Sequence, residues 1–219
     1  MKLLTKFLAL ITIAVLFNNC NSVSTPQSLM NLSEAKILVQ NYYETGAFDA
    51  ECKQIFDDAI TQIEKIKLSD SSAVIFDIDE TALSNYDLTK EIGFGFRPDI
   101  WDAWLQKAAA KAIPQTKKFY DWLVSKNIRV IFLTGRSEKE REATAKNLYK
   151  EGYTKYDTLI VRSPDEKKIP AAEFKAGKRT QLTRKGYKII ACIGDQWSDL
   201  VGGNAGIKIK LPNYLYIID

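Results

Sequence analysis

The sequence contains no histidine. That absence excludes phosphohistidine chemistry, a Ser-His-Asp triad and any histidine-ligated metal centre. Cysteine is nearly as scarce, being present only at positions 20, 52 and 192. Cys192 lies in an apolar run, where a buried free thiol is the commoner outcome. An oxidising compartment permits a bridge to Cys52, a geometry that sequence alone leaves open. No apolar stretch spans a bilayer comfortably, because that takes about 20 residues. The 31 basic and 27 acidic residues are spread along the chain, giving a net charge of +4 without a basic block. Such a charge favours solubility rather than contact with a nucleic acid polymer. Internal repeats and low-complexity tracts are also absent. What remains for chemistry is carboxylate, hydroxyl, lysine, arginine and an oxygen-bound metal. With 219 residues, 46% hydrophobic and 26% charged, the chain suits one α/β domain with an elaboration.

The richest stretch is Ala73-Val74-Ile75-Phe76-Asp77-Ile78-Asp79-Glu80-Thr81. Four apolar residues read as a strand buried on both faces, as inside a parallel sheet. Three carboxylates then crowd into four positions, where like charges repel unless a cation joins them. Ligands of open α/β sheets bind at the carboxyl ends of strands. The residues therefore point to a hard divalent cation held by Asp77 and Asp79, with one carboxylate left for chemistry.

Residues 1–20 read as a secretory signal: Lys2 and Lys6 form a positive start, and 8–17 an apolar core. Cys20 stands where a lipid-modified cysteine would follow cleavage, although Asn18-Asn19 departs from the small residues that usually precede one. A polar tether, 21–32, comes next. Export to the periplasm or outer membrane is expected, with a lipid anchor at Cys20 left open.

The remaining 33–219 read as a single domain. Residues 33–67 are helical, with Ile55, Phe56, Ala59, Ile60, Ile63 and Ile66 forming an apolar stripe and Gly46 separating two helices. An insertion at about 83–114 follows the acidic strand end. In it Trp101 and Trp104 read as the buried face of a short helix from Asp99, and Tyr86 as a stacking lid. A helix over 115–126 leads to a strand at 128–133. That strand ends in Thr134-Gly135-Arg136, where Ser137 and Glu140 form a capping box; a hydroxyl there can hold an anionic oxygen. Further strands fall at 158–161, 188–193 and 207–211. The 188–193 strand runs into a second acidic cluster, Gly194-Asp195-Gln196-Trp197-Ser198-Asp199. Strands alternating with helices predict a doubly wound parallel sheet. Two acidic strand ends, a Thr-Gly turn and a late lysine converging above such a sheet suit phosphoryl transfer.

At these residues the sequence resembles the haloacid dehalogenase-like phosphatases, and within them the class B acid phosphatase branch. The matching runs are Asp77-Ile78-Asp79-Glu80-Thr81 with Asn85-Tyr86, then Thr134-Gly135-Arg136 with Thr144 and Asn147-Leu148. They continue through Gly152-Tyr153, Phe174-Lys175 with Arg179, Gly186-Tyr187, Gly194-Asp195 through Leu200, and Lys210-Leu211-Pro212-Asn213. The ordered set covers essentially the whole mature chain; Phe174 departs from the usual tyrosine. The resemblance implies a haloacid dehalogenase-like fold with a helical N-terminal arm and a small cap insertion. It also implies an acid phosphatase, dependent on Mg2+, that hydrolyses small phosphomonoesters such as nucleoside 5'-monophosphates.

Carried over, Asp77 is the nucleophile that forms an aspartyl-phosphate, and Asp79 the group that protonates the leaving oxygen and then activates water. Thr134 and Lys175 bind phosphate, Lys175 being preferred to Lys178. Asp77, Asp79 through its carbonyl, Asp195 and Asp199 form the metal set, the role of Asp199 being first-rank or supporting. Asn85 and Tyr86 line the substrate side. The competing reading is a non-catalytic storage or ligand-binding protein on the same fold, which loss of the nucleophile would mark. Oligomeric state is not addressed by any of these residues.

Overall fold

A computed structural model describes residues 29–218, so residues 1–20, read as a signal, Cys20 and most of the expected tether lie outside the described residues. The chain divides into a leading segment, Met1–Asn31, and one compact unit, Leu32–Asp219. Among the described residues no helix is long and apolar enough to cross a membrane.

Two helices open the unit, α1 (Leu32–Glu44) and α2 (Ala47–Ile63), broken at Gly46 with φ 89°. Only a residue without a Cβ adopts that left-handed turn without strain. In α2 the buried residues are Cys52, Phe56, Ala59 and Ile63, steps of three and four that place one stripe against the core.

The sheet is built from β1 (Ser72–Phe76), β4 (Arg129–Ser137), β5 (Thr158–Arg162), β6 (Lys188–Gly194) and β7 (Ile207–Lys210). Their spatial order is β5-β4-β1-β6-β7, and every pairing is parallel. Every residue of β1 is buried, because helices cover both faces of this central strand. Its side chains alternate: Val74 and Phe76 join a core with α2 and α5 (Pro114–Ser125), while Ala73 and Ile75 join a second with α7 (Ala171–Arg184). Cys52 belongs to the first core and Cys192 to the second, on opposite faces of the sheet. Both are free thiols, and burial pushes both up to about 12.

Between β1 and α5 lies an insertion closed at its base by a short antiparallel pair, β2 (Leu83–Ser84) with β3 (Lys111–Ala112). Sequence periodicity did not reveal this pair, since two residues are too few to alternate. Helices α3 (Tyr86–Glu91) and α4 (Pro98–Lys107) stand between them. Pro98 occupies the first turn of α4, where its missing N–H costs no hydrogen bond. After β4 the capping box forms as expected: the Ser137 N–H and hydroxyl both donate to Glu140, at 2.5 and 2.8 Å. It opens a 3-10 turn that continues into α6 (Arg141–Lys150).

One buried cation pins the loop after β6. Arg179 of α7 is wholly buried, and its guanidinium donates to the carbonyls of Asp199 (2.8 Å), Gly203 (3.0 Å) and Val201. Replacing Arg179 with leucine leaves three carbonyls without these donors, each such bond contributing about 1.5–3 kcal/mol. Urea unfolding is expected to show a loss of at least about 3 kcal/mol.

Candidate active site

The order β5-β4-β1-β6-β7 reverses direction at β1, so a crevice opens beyond its carboxyl end. Asp77 is the first residue past β1, and its N–H donates to the Ile193 carbonyl of β6 at 2.9 Å. The chain then reverses sharply. The N–H groups of Ala82 and Leu83 both donate to the Ile78 carbonyl, at 2.9 and 2.8 Å, while Glu80 takes φ 52°. Left-handed backbone at a glutamate costs on the order of 1 kcal/mol. The Glu80 carboxylate offsets it by accepting the Asn85 N–H at 2.6 Å and the Tyr216 hydroxyl.

Lys175, buried on α7, reaches into the crevice and donates to Asp77 Oδ1 at 2.6 Å and to Asp199 Oδ1. Burial opposes its charge, but the two carboxylates outweigh that and push the ammonium well above its ordinary range. Lys178, the other candidate, instead pairs with Glu166 at 2.6 Å. Asp77, Asp195 and Asp199 are all buried, with one oxygen of each within 4.8 Å of the others. Burial is the main force raising Asp77, with Lys175 opposing it and Asp199, Asp195 and Asp79 adding repulsion. Burial likewise raises Asp195 to about 6, with repulsion from Asp199 adding to it. Three crowded carboxylates against one lysine leave the cluster short of positive charge. An all-oxygen donor set in that condition fits a hard divalent cation.

Gly194 makes this crowding feasible. A Cβ there would stand 2.3 Å from the Asp199 Cβ, closer than any two such carbons approach. The Gln196 N–H donates to Asp199 Oδ2 at 2.9 Å, so both Asp199 oxygens are engaged by protein.

The second arm of the site is cationic. Arg136 meets Asp79 through two bonds, Nη2 to Oδ1 at 2.6 Å and Nε to Oδ2 at 3.0 Å, and its Nη1 donates to the Thr144 hydroxyl at 2.9 Å. The Thr134 hydroxyl, buried, accepts the Arg136 N–H at 3.1 Å. Arg136 and Thr134 line one cavity of about 810 Å³ together with Asp77, Asp79, Lys175, Asp195 and Asp199.

The family model of the HAD superfamily, subfamily IIIB (acid phosphatase), matches residues 7–219. The chain belongs to that family. It is therefore an acid phosphatase, a hydrolase of phosphoric monoesters. Among curated proteins, the stem 28 kDa glycoprotein of Glycine max is 36% identical over 82% of this chain and 73% of its own. Acid phosphatase 1 of Solanum lycopersicum is 29% identical over 97% of this chain and 98% of its own. Vegetative storage protein 1 of Arabidopsis thaliana is 31% identical over 85% and 71%. The class C acid phosphatase of Bacillus anthracis shares the fold, with a TM-score of 0.67 at 23% identity over 84% of each chain. With tungstate bound, that enzyme gives 0.65 at 24% identity over 85% and 86%.

In this acid phosphatase the two residues read as substrate-lining stand elsewhere. Asn85 is a bracket behind the site, donating to Asp79 Oδ1 at 2.8 Å and accepting from the Trp104 indole at 2.8 Å. Tyr86 stacks on Tyr43 at 4.8 Å and donates to Glu44 at 2.8 Å, so its ring closes the joint between α1 and α3. Neither is on the cavity wall. The two tryptophans also divide. Trp104 packs on the core as expected, but Trp101 is half-exposed beside Phe96 and lines the cavity. Helix α4 turns one of these residues inward and the other toward the crevice.

Arg136, Asn213 and Tyr216 carry contacts that sequence reading left without a role. Arg136 had a signal, since it directly follows Thr134-Gly135 in the sequence; the other two had only their place after β7. Gly194→Ala is expected to drive Asp199 off Lys175 and lower phosphomonoester turnover on the order of 100-fold. Steady-state phosphate release checks this.

Proposed function

We propose that this acid phosphatase is a magnesium-dependent phosphomonoesterase of the cell envelope, working through an aspartyl-phosphate on Asp77. The observation that carries the reading is the buried pairing of Lys175 with Asp77 at the carboxyl end of β1. It presents a nucleophilic carboxylate beside a fixed positive charge inside a cavity large enough for an organic ester.

Asp77, Asp195 and Asp199 would hold the ion, with the Asp79 carbonyl contributing as the family resemblance implies. When bound, it supplies charge neutralisation to the phosphoryl oxygens. The Asp77 carboxylate oxygen bonds to phosphorus while the ester P–O bond breaks, and Asp79 gives its proton to the departing alkoxide. Water then displaces the Asp77 carboxylate from phosphorus, its proton passing to Asp79. Both Asp79 oxygens accept from Arg136 at rest, so substrate must draw one of them away and that oxygen must take up a proton from solvent before Asp79 serves as the acid. The Thr134 hydroxyl and the Lys175 ammonium hold the phosphoryl oxygens, charge-assisted contacts that strengthen as charge develops. Asp199, engaged by Lys175 and by the Gln196 N–H, also aims Lys175.

The cavity carries apolar jaws on two sides. Phe94, Phe96 and Trp101 come from the insertion, which acts as a cap, and Ile217 and Ile218 from the segment after β7. Phe96 is 70% exposed and Ile217 84%. Such walls favour a leaving alcohol with a flat or apolar body, the nucleoside of a 5'-monophosphate being one. The positive start and the 8–17 apolar core support export. Phosphate scavenging in the envelope is the use that follows, with Cys20 as the anchor if lipidated. A second reading, a storage protein on the same fold, draws on relatives named vegetative storage proteins. Retention of Asp77 and its lysine weighs against it.

Two measurements test the reading on protein beginning after Cys20. Phosphate release from a panel of monoesters is expected to stop with chelator, return with magnesium, and fall at least about 1,000-fold in Asp77→Asn. Magnesium-replete, folded protein that releases no phosphate from any ester would establish the storage reading instead. Within the panel, nucleoside 5'-monophosphates and aryl phosphates are expected to show KM values about tenfold below that of glycerol phosphate. Equal KM values would remove the jaws from substrate recognition.

A further inference from the structure

The three carboxylates of the cluster are not treated alike. Asp77 and Asp199 share Lys175, but the partners that hold Asp195 are neutral. Its Oδ1 accepts the Thr81 hydroxyl at a long 3.3 Å. Its Oδ2 accepts two amides at 2.6 Å each, the Nδ2 of Asn213 and the Nε2 of Gln196. Gln196 is the next residue in the chain, whereas Asn213 arrives from beyond β7.

Asn213 is itself fixed. Its Oδ1 accepts the N–H groups of Leu215 at 2.7 Å and Tyr216 at 3.4 Å, closing a side-chain turn. The amide can therefore present only its NH2 to Asp195. The strap it begins is tied down again further on. The Ile218 N–H donates to Gln196 Oε1 at 3.0 Å, and the Tyr216 hydroxyl to Glu80.

A neutral donor in this place orients a carboxylate without cancelling its charge. A lysine or arginine there would satisfy Asp195 and compete with any cation. We propose that Asn213 is a positioning residue for cation binding: it fixes the direction of Asp195 while leaving its charge for the ion. The inference rests on the reading of Asp195 as a ligand of that ion. Partners of this kind, one bond removed from the ion, commonly change metal affinity by about 10–100-fold when lost.

The test is calorimetric titration of magnesium into wild-type protein, Asn213→Ala, Asn213→Ser and Tyr216→Phe, none of which needs turnover to be read. Asn213→Ser keeps a hydroxyl to accept the Leu215 N–H but cannot reach Asp195, so the turn survives and the contact does not. Tyr216→Phe releases the strap from Glu80 and leaves the Asn213 contact in place. Both Asn213 variants are expected to weaken magnesium binding about tenfold or more, and Tyr216→Phe less than twofold. Phosphate release by the Asn213 variants should then recover as magnesium is raised, which a folding defect would not do. Magnesium affinity within twofold of wild type in both Asn213 variants overturns the inference alone. An equal loss in Tyr216→Phe assigns the effect to the strap as a whole and also overturns it. Wild-type protein that binds no magnesium overturns the ligand reading beneath it as well.

Discussion

Lys175 between Asp77 and Asp199 is the interaction on which the rest of the structure depends. Carboxylates taken out of water lose hydration that only a counter-charge restores, and a buried lysine without acid partners would release its proton. Each member of this trio is therefore tenable only with the others in place. They come from three elements, the end of β1, the first half of α7 and the turn after β6. Parallel packing delivers all three to one edge of the sheet. Arg179 secures the β6 turn by gripping its carbonyls, and Gly194 leaves the space into which Asp199 fits. The charge balance of the cluster still falls short with one lysine, and that deficit is what gives the site its appetite for a cation.

Around this centre lies a second layer that joins separate parts of the chain to the acidic loop. Arg136 binds Asp79 from the end of β4; Asn85 binds Asp79 from the insertion and is held in turn by Trp104. Glu80, raised to about 8 chiefly by burial and then by Asp79, is capped by Asn85 and Tyr216. The insertion and the C-terminal strap are thus both attached to the acidic loop, at Asp79 and Glu80.

The N-terminal arm completes the frame. Tyr43 stacks on Tyr86 of the insertion, Tyr42 meets Tyr214 of the strap at 4.9 Å edge to face, and Glu44 accepts from Tyr86 and Lys90. The end of α1 therefore touches the bases of both jaws. Tyr42, Tyr43 and Tyr86 there bury apolar ring area while keeping their hydroxyls paired, a use suited to a joint that is half exposed.

The strands, their parallel arrangement and the acidic strand ends could be read from the sequence alone. Runs of four to six apolar residues between turn signals have few other solutions, and no economical fold crowds Asp77, Asp79 and Glu80 without a task for them. The absence of histidine likewise restricts the chemistry at the level of sequence. Tertiary structure decided what contacts between distant residues decide. Arg136 meets Asp79 across 57 residues, Asn213 meets Asp195 across 18, and Tyr216 meets Glu80 across 136. No periodicity encodes such pairs, because each depends on where two elements happen to end in space. The same holds for the tryptophans: a step of three places them about 60° apart around a helix, enough for the part-buried Trp104 to pack against the core while Trp101 looks into the cavity. Which one does so is settled by how α4 rests on the sheet, and that is a property of the packed molecule.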